Sequence, residues 1–272
     1  VRRSELALVA VLAVALVATA VYLPQLTDAR PAYEIPVRDA GDGDAYADAT
    51  GEGWSRTPAA TVPLGSTGAA VPNADDVSIE AVDVEAARTD ERLYVRLSWA
   101  DATHDDSTGA IRSFADAAAI QLPVSHESRP PLAMGSTDNQ VNVWYWSADG
   151  QEQELLAGGA GTTTRFEEAS VDVDAQHDGD RWRVVFSRSL ESPHANRTTV
   201  SDDQNLDLAV AAWNGSAGER SGRKAASEWY YAATGPGPTG PPYETLLWVV
   251  AGVAIVVTTL VTVEGVRRTR GE

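Results

Sequence analysis

Two residue types that this chain has all but abandoned are each kept once. Lys224 is its sole lysine beside twenty arginines, and Met134 is its sole methionine. Both side chains can give an electron pair to a metal, the thioether as a soft ligand and the amine once it is neutral. A lysine amine has an ordinary pKa near 10.4, so a ligating lysine belongs in a pocket where burial disfavours its charge. Each also has an ordinary fate, Met134 as a gap-filling core side chain and Lys224 as a solvated loop charge beside Arg220 and Arg223. Histidine is the commoner ligand. His104 and His177 sit among aspartates and read as exposed, His194 follows a proline in a polar loop, and His126, eight residues before Met134, is the alternative partner for that methionine. The chain has no cysteine, which excludes disulfides, thiolate metal sites and iron–sulfur ligation.

Both candidates follow apolar runs that read as strands. Met134 stands in a Pro-Pro-Leu-Ala-Met-Gly loop after Ala117–Leu122, and Lys224 stands in a Gly- and charge-rich loop after Leu208–Trp213. Elsewhere Leu93, Val95, Leu97 and Trp99 alternate with Arg92, Tyr94, Arg96 and Ser98, as a half-buried strand should. Val77–Val84, Val171–Val173 and Trp182–Ser187 behave likewise, and Val141–Trp146 is continuously apolar enough to lie centrally. The sole amphipathic helix candidate is the short fragment Glu152–Ala157. About eight unevenly spaced strands predict an all-β fold, an antiparallel β-sandwich.

The ends are of another kind. Leu6–Leu23 is eighteen residues without a charge, preceded by Arg2 and Arg3, and Leu246–Val263 is a second such run, followed by Arg267, Arg268 and Arg270. Eighteen helical residues span about 27 Å, close to a hydrocarbon core. One N-terminal and one C-terminal transmembrane helix are expected, although Ala18-Thr19-Ala20 offers a signal-peptidase site as a rival reading of the first. Arginine at both outer flanks places the termini in the cytoplasm and everything between them on the extracellular face of the cell membrane. The expected organisation is an anchor or signal segment over 1–23, an extended Gly/Pro/Asp-rich arm over 24–72, the sandwich over 73–234, a Pro/Gly linker over 235–245, the second span over 246–263 and a basic tail over 264–272.

The formal net charge is −18, and residues 24–243 hold 35 acidic against 16 basic side chains. Nucleic acid is thereby excluded as a partner. Near-absence of lysine with abundant Asp, Glu, Ala and Val resembles proteins of extremely halophilic archaea. Molar salt screens charge to within about 3 Å, so so acidic a surface stays hydrated without tearing itself apart.

Three segments carry a more specific resemblance: FADAAAIQLP (Phe114–Pro123), PLAMGSTDNQVNVWYW (Pro131–Trp146) and AAWNGSAGERSGRKAASEWY (Ala211–Tyr230). They resemble the haem b (gamma) subunit of type II dimethyl sulfoxide reductase-family molybdoenzymes, the group of ethylbenzene dehydrogenase and of the chlorate, selenate and dimethyl sulfide enzymes. The resemblance runs from about Trp54 to Tyr231. It implies a β-sandwich with a haem pocket at one side, and it carries the two axial ligands onto Met134 and Lys224. With no cysteine for covalent attachment, the implied cofactor is non-covalent haem b. The implied partners are an iron–sulfur subunit, a molybdopterin catalytic subunit and a redox carrier of the respiratory chain. Relatives in this group are generally soluble after export, so the second apolar run would be a departure that tethers the complex to the membrane.

Around the ligands, Trp144, Tyr145, Trp146, Trp213, Trp229 and Tyr230 are candidates to stack on the macrocycle, with a place in the sandwich core as their ordinary alternative. Asn142 and Asn214 are candidates to hydrogen-bond loops or a propionate, and Arg223 to pair with a propionate as a fork. Asn214-Gly-Ser216 also has the form of a glycosylation sequon, but inside the matching loop it reads as structural. No nucleophile elbow, H-E-x-x-H or phosphate loop occurs, which points to an electron carrier rather than an enzyme. The rival readings are a haem-free carbohydrate- or ligand-binding sandwich on the cell surface, and a plain adhesion domain that leaves the three segments unexplained.

Overall fold

The alternating strands fold into two sheets packed face to face. The computed structural model describes residues 32–107, 109–192 and 194–235, with eight further residues, all helical, between 251 and 267. One sheet has nine strands. Its spatial order is β1 (Glu34–Ile35), β15 (Tyr230–Ala232), β13 (Leu206–Trp213), β7 (Ala117–Pro123), β8 (Val141–Ser147), β9 (Gln151–Ala157) and β10 (Thr164–Arg165). Beside β13 lies β14 (Ala225–Ala226), and beside that β4 (Gly65–Ser66). The six-stranded sheet runs β11 (Asp172–His177), β12 (Arg181–Ser189), β6 (Arg92–Ala100), β5 (Ala81–Arg88) and β2 (Val37–Asp39), with β3 (Ala60–Pro63) also on β5. The long neighbours pair antiparallel, whereas β1 on β15 and β2 on β5 are parallel. The expected β-sandwich is present.

Strand alternation decides what each sheet shows to the other. Leu93, Val95, Leu97 and Trp99 of β6 and Trp182, Val184 and Phe186 of β12 meet Ala118, Ile120 and Leu122 of β7, Trp144 and Trp146 of β8, and Leu206, Leu208 and Val210 of β13 in one core. Truncating a wholly buried ring such as Phe186 to alanine costs about 3–5 kcal/mol, the lost transfer energy plus the cavity left behind.

The fragment Glu152–Ala157, expected as a helix, is strand β9, paired with β8 along its whole length. The reason is Glu154. A short amphipathic helix would leave its carboxylate in water, yet here it is 0% exposed. Its Oε2 accepts from Ser170 N and Oγ at 2.9 and 2.8 Å and lies 2.9 Å from Arg197 Nε, while Arg188 Nη1 stands 3.5 Å from Oε1. Two arginines and a serine from outside the segment make a buried glutamate tolerable and pin β9 to β12.

The 24–72 stretch, expected as an extended arm, is woven into both sheets over its described part. It supplies β1 to β4, and between β2 and β3 it forms helix α1 (Asp44–Ala47) and a 3-10 helix (Glu52–Arg56). These pieces are two to five residues long, too short to show a period in the sequence. The segment covers the outer face of the six-stranded sheet, where Tyr46, Ala49 and Trp54 pack on Ala87, Tyr94 and Val185.

The apolar run Leu6–Leu23 lies outside the described residues, as do the linker beyond Gly235 and most of Leu246–Val263 and of the 264–272 tail. Among the described residues no helix is long and apolar enough to cross a membrane.

Candidate metal centre

The outer face of the nine-stranded sheet carries its own apolar cluster; Met134 packs against it, and Lys224 reaches it through the ring of Trp213. Where the inner face of β7 and β13 shows Ile120, Leu122, Leu208 and Val210, the outer face shows Ala117, Ala119, Ala211 and Trp213. Val141, Val143 and Tyr145 of β8 and Leu155 and Ala157 of β9 continue it. Small side chains in adjacent strands make a low, flat floor. Met134 and Trp229 pack against that floor from the rim.

Met134 is held in an uncommon conformation. Its φ is +66°, the left-handed region that costs a non-glycine residue about 1 kcal/mol or more. The following Gly135 is also left-handed, at φ +75°, where a Cβ would come 2.7 Å from Asn139 O. The turn is over-determined by its bonds. Met134 N donates to Leu132 O at 2.8 Å, Gly135 N to Pro131 O at 2.9 Å and Gly159 N to Met134 O at 2.8 Å. Gln121 Nε2 and Trp229 Nε1 reach Leu132 O and Pro130 O at 3.3 and 3.0 Å, tying the turn to β7 and to the segment after β14. Strain maintained by so many contacts is typical of functional positions.

Lys224 directly precedes β14, and continuing the β13–β14 register sets it across from Trp213. Its Nζ lies 5.1 Å from the centroid of that ring, a cation–π contact when the amine is charged. Burial holds its pKa below the ordinary lysine value. Two arginines at comparable depth are paired: Arg223 donates to Asp76 Oδ2 at 2.7 Å, and Arg96 to Glu85 Oε2 at 2.7 Å. Lys224 has no carboxylate within ion-pair distance among the described residues. A half-buried amine over an apolar ring, with no carboxylate to pair with among the described residues, is closer to the neutral state that metal ligation requires than an ordinary surface lysine is.

The other expected site residues divide by strand parity. Trp213 and Trp229 belong to the outer cluster. Trp144 and Trp146, named as stacking candidates, point the other way, into the sandwich core, because even positions of β8 face inward while Val143 and Tyr145 face the floor. Asn142 is inward too. Its Oδ1 accepts from Trp144 Nε1 at 3.3 Å and Arg188 Nη1 at 3.0 Å, so its amide serves the core. Asn214 caps a turn, its Oδ1 accepting from Ala217 N at 2.9 Å and Ser216 Oγ at 2.7 Å. Arg223 is committed to Asp76, whereas Arg220 lies over the Phe114 ring, 4.5 Å from its centroid.

The histidines are otherwise engaged. His126 is hydrogen-bonded through its ring to Thr199 O at 2.9 Å. His104 is exposed, and half-buried His177 stacks on it with centroids 5.2 Å apart while its Nε2 meets Asp101 O at 2.9 Å. Among the described residues no group of three or more His, Cys, Asp or Glu side chains could hold a metal ion. Tyr145, also a stacking candidate, meets Trp213 edge-on at 5.7 Å on the outer face, whereas sequence reasoning missed the alanine floor itself. The signal was available in β8, since placing Trp144 in the core obliges its neighbours to face outward.

A thioether, a desolvated amine and a flat apolar floor between them fit a planar metal macrocycle with one ligand from each loop. The family model of ethylbenzene dehydrogenase matches residues 52–168 and 159–225. A Haloferax mediterranei protein described as a respiratory nitrate reductase heme subunit is 52% identical over 92% of this chain and 90% of its own length. The chlorate reductase gamma subunit of Ideonella dechloratans is 36% identical over 54% of this chain and 62% of its own. The dimethylsulfide dehydrogenase gamma subunit of Rhodovulum sulfidophilum is 35% identical over 62% and 66%. Among solved structures, a family 9 carbohydrate-binding module from Caldicellulosiruptor kristjanssonii shares 10% identity over 74% of this chain and 85% of its own, with a TM-score of 0.44. At that distance the likeness speaks of neither ligand nor site.

Proposed function

We propose a haem electron-transfer role on one premise: this chain belongs to the ethylbenzene dehydrogenase family. It is the haem subunit of a respiratory oxidoreductase complex, passing single electrons for a catalytic centre housed in another chain. The observation that carries the reading is that the sole methionine and sole lysine, ninety residues apart, come to one apolar floor, the lysine desolvated and without a counter-ion among the described residues.

Met134 and Lys224 would hold the haem iron, with Trp213 and Trp229 against the macrocycle. Bound there, the group supplies a one-electron couple, which a sulfur and nitrogen ligand pair can tune. The chain's own part is to keep both donors aimed, to keep water from the amine, and to keep the lysine proton off Nζ. The absence of cysteine supports a non-covalent b-type haem. Nothing in the donor set does substrate chemistry, which supports a non-catalytic subunit whose partners are an iron–sulfur subunit and a molybdopterin catalytic subunit. The relative matched over nearly the whole chain supports nitrate as the substrate class of that complex.

Leu246–Val263 with its trailing arginines supports a membrane anchor, and the two charged flanks support a sandwich on the extracellular face with cytoplasmic termini. Deleting residues 244–272 should release the complex from washed membranes where the first apolar run is removed by processing. Retention of the deleted form would assign the anchoring elsewhere.

The decisive experiment is the absorption spectrum, oxidised and dithionite-reduced, of the full chain produced in high salt with haem supplied. A low-spin b-type spectrum that either Met134→Ala or Lys224→Ala disrupts is the expected result. If haem binds and only the methionine matters, His126 becomes the partner to test. A folded chain that takes up no haem would overturn the reading and leave a haem-free binding module.

A further inference from the structure

The loop that carries Lys224 is anchored by a buried carboxylate of its own. Glu219, in the middle of the Asn214–Arg223 loop, is 1% exposed. Its Oε1 accepts from Ser78 N at 2.6 Å and Ser78 Oγ at 2.8 Å, and its Oε2 accepts from Asn214 N at 3.0 Å. No arginine, lysine or histidine lies within ion-pair distance of it among the described residues. A carboxylate buried on neutral donors alone is costly, and it persists only where every lone pair it turns inward is met. Here the donors come from two separate places: the first residue of the loop, at the end of β13, and the segment leading into β5 of the other sheet.

The rest of the loop depends on that point. Glu219 N returns to Asn214 O at 3.1 Å, and Arg220 and Arg223 close a tight bridge around Ser221, which is left-handed at φ +50°. Trp213 Nε1 donates to Ser221 O at 3.1 Å, so the ring under Lys224 and the loop bearing Lys224 are registered to each other. The second clamp, Arg223 on Asp76, ends on a carboxylate 81% exposed and is correspondingly weak.

Resting on the haem reading above, we infer that Glu219 is a positioning residue for Lys224. Its carboxylate sets the loop against the end of β13 and against Ser78, in the conformation that presents the amine to the metal. The lysine side chain is long and flexible, so its reach is decided by where its backbone is held.

The test uses the full chain with haem in high salt and compares wild type, Lys224→Ala, Glu219→Gln and Glu85→Gln. In Glu219→Gln one acceptor oxygen becomes an NH2 aimed at an N–H or O–H donor. The expected result is a folded, haem-loaded variant that is partly five-coordinate. Its reduced form should bind carbon monoxide at least about tenfold faster than wild type, since about 1.4 kcal/mol of lost ligation corresponds to that factor. Glu85→Gln breaks a buried ion pair on the opposite sheet, so it should lower the melting temperature and leave the spectrum and the carbon monoxide rate alone. A wild-type spectrum and rate in Glu219→Gln, or the same change in Glu85→Gln, would overturn the inference. Should Glu219→Gln fail to fold, Ser78→Ala removes one donor only, and a rate unchanged from wild type would count against the clamp. Lys224→Ala separates the two layers. If it leaves the spectrum untouched the lysine reading itself fails, whereas a change there without one in Glu219→Gln removes only the role of Glu219.

Discussion

The two sheets have opposite solutions for their outer faces. On the six-stranded sheet the chain seals its own surface: α1 and the 3-10 helix lay Tyr46 and Trp54 over Tyr94 and Val185, with the two rings edge to face at 5.1 Å. Arg96 lies 4.9 Å from the Trp54 ring, donates to Ala49 O at 2.9 Å and is paired with Glu85. Burial pushes the Glu85 pKa up and the Arg96 pKa down despite their mutual attraction, so the pair is closed off from water rather than strengthened by it. On the nine-stranded sheet the outer face is floored with alanine, rimmed by a strained methionine and overhung by an uncompensated lysine. The first face is optimised for stability. The second keeps three features that cost stability, and a bound cofactor is what would repay them.

That contrast can be broken first where the sealed face is strongest. Trp54→Ala should lower the unfolding free energy by about 3–5 kcal/mol in a denaturant titration while the haem spectrum of the folded fraction stays that of wild type. A changed spectrum would mean the two faces are not independent.

The alanines sharpen it at a single step of sequence. Ala118 is 0% exposed in the inner core and Ala119 is on the outer floor. Ala118→Leu should overpack the core at about 1–3 kcal/mol. Ala119→Leu should cost the haem-free chain less and reduce haem uptake more, and equal effects in both assays would refute the assignment of the floor.

Lys224→Leu should stabilise the haem-free chain by roughly 0.5–2 kcal/mol by removing an unpaired amine from an apolar place, while abolishing six-coordinate haem. The sign of the pH dependence follows from its lowered pKa. Between that lowered value and the unfolded value near 10.4, the unfolded chain holds the extra proton, so the lysine's penalty is full at lower pH and fades as pH rises through the window. Thermal melts of wild type and Lys224→Leu should therefore converge as the solution is made alkaline.

The smallest effect belongs to the strained turn. Met134→Gly relieves a φ of +66° but gives up the packing of a half-buried side chain, so it should change the stability of the haem-free chain by only about 1 kcal/mol while removing the sulfur ligand. Wild-type haem absorption in that variant would place the axial sulfur reading in error.

Much of this was legible in the residues. Met134 and Lys224 stand out by being single, and the strands show in the alternation of β6 and β12 and in the continuous apolar run of β8. Trp144 and Trp146 misled because an aromatic beside a site and an aromatic beneath it look alike in sequence. Glu219 was invisible among 39 acidic residues, since only its donors distinguish it from a solvated carboxylate. Glu154 hid a strand for the same reason, as its arginines lie 34 and 43 positions further along the chain.

Residue type and period, which are local properties, thus determined the candidate donors, the exclusion of thiolate chemistry in a chain without cysteine, and a two-faced β architecture. Alternation divides a strand into two faces without saying which one meets the other sheet. That choice, with the desolvation of Lys224 on Trp213 and the seating of its loop on Ser78, was made by tertiary packing, because each depends on groups brought from distant positions to exclude water from the same place.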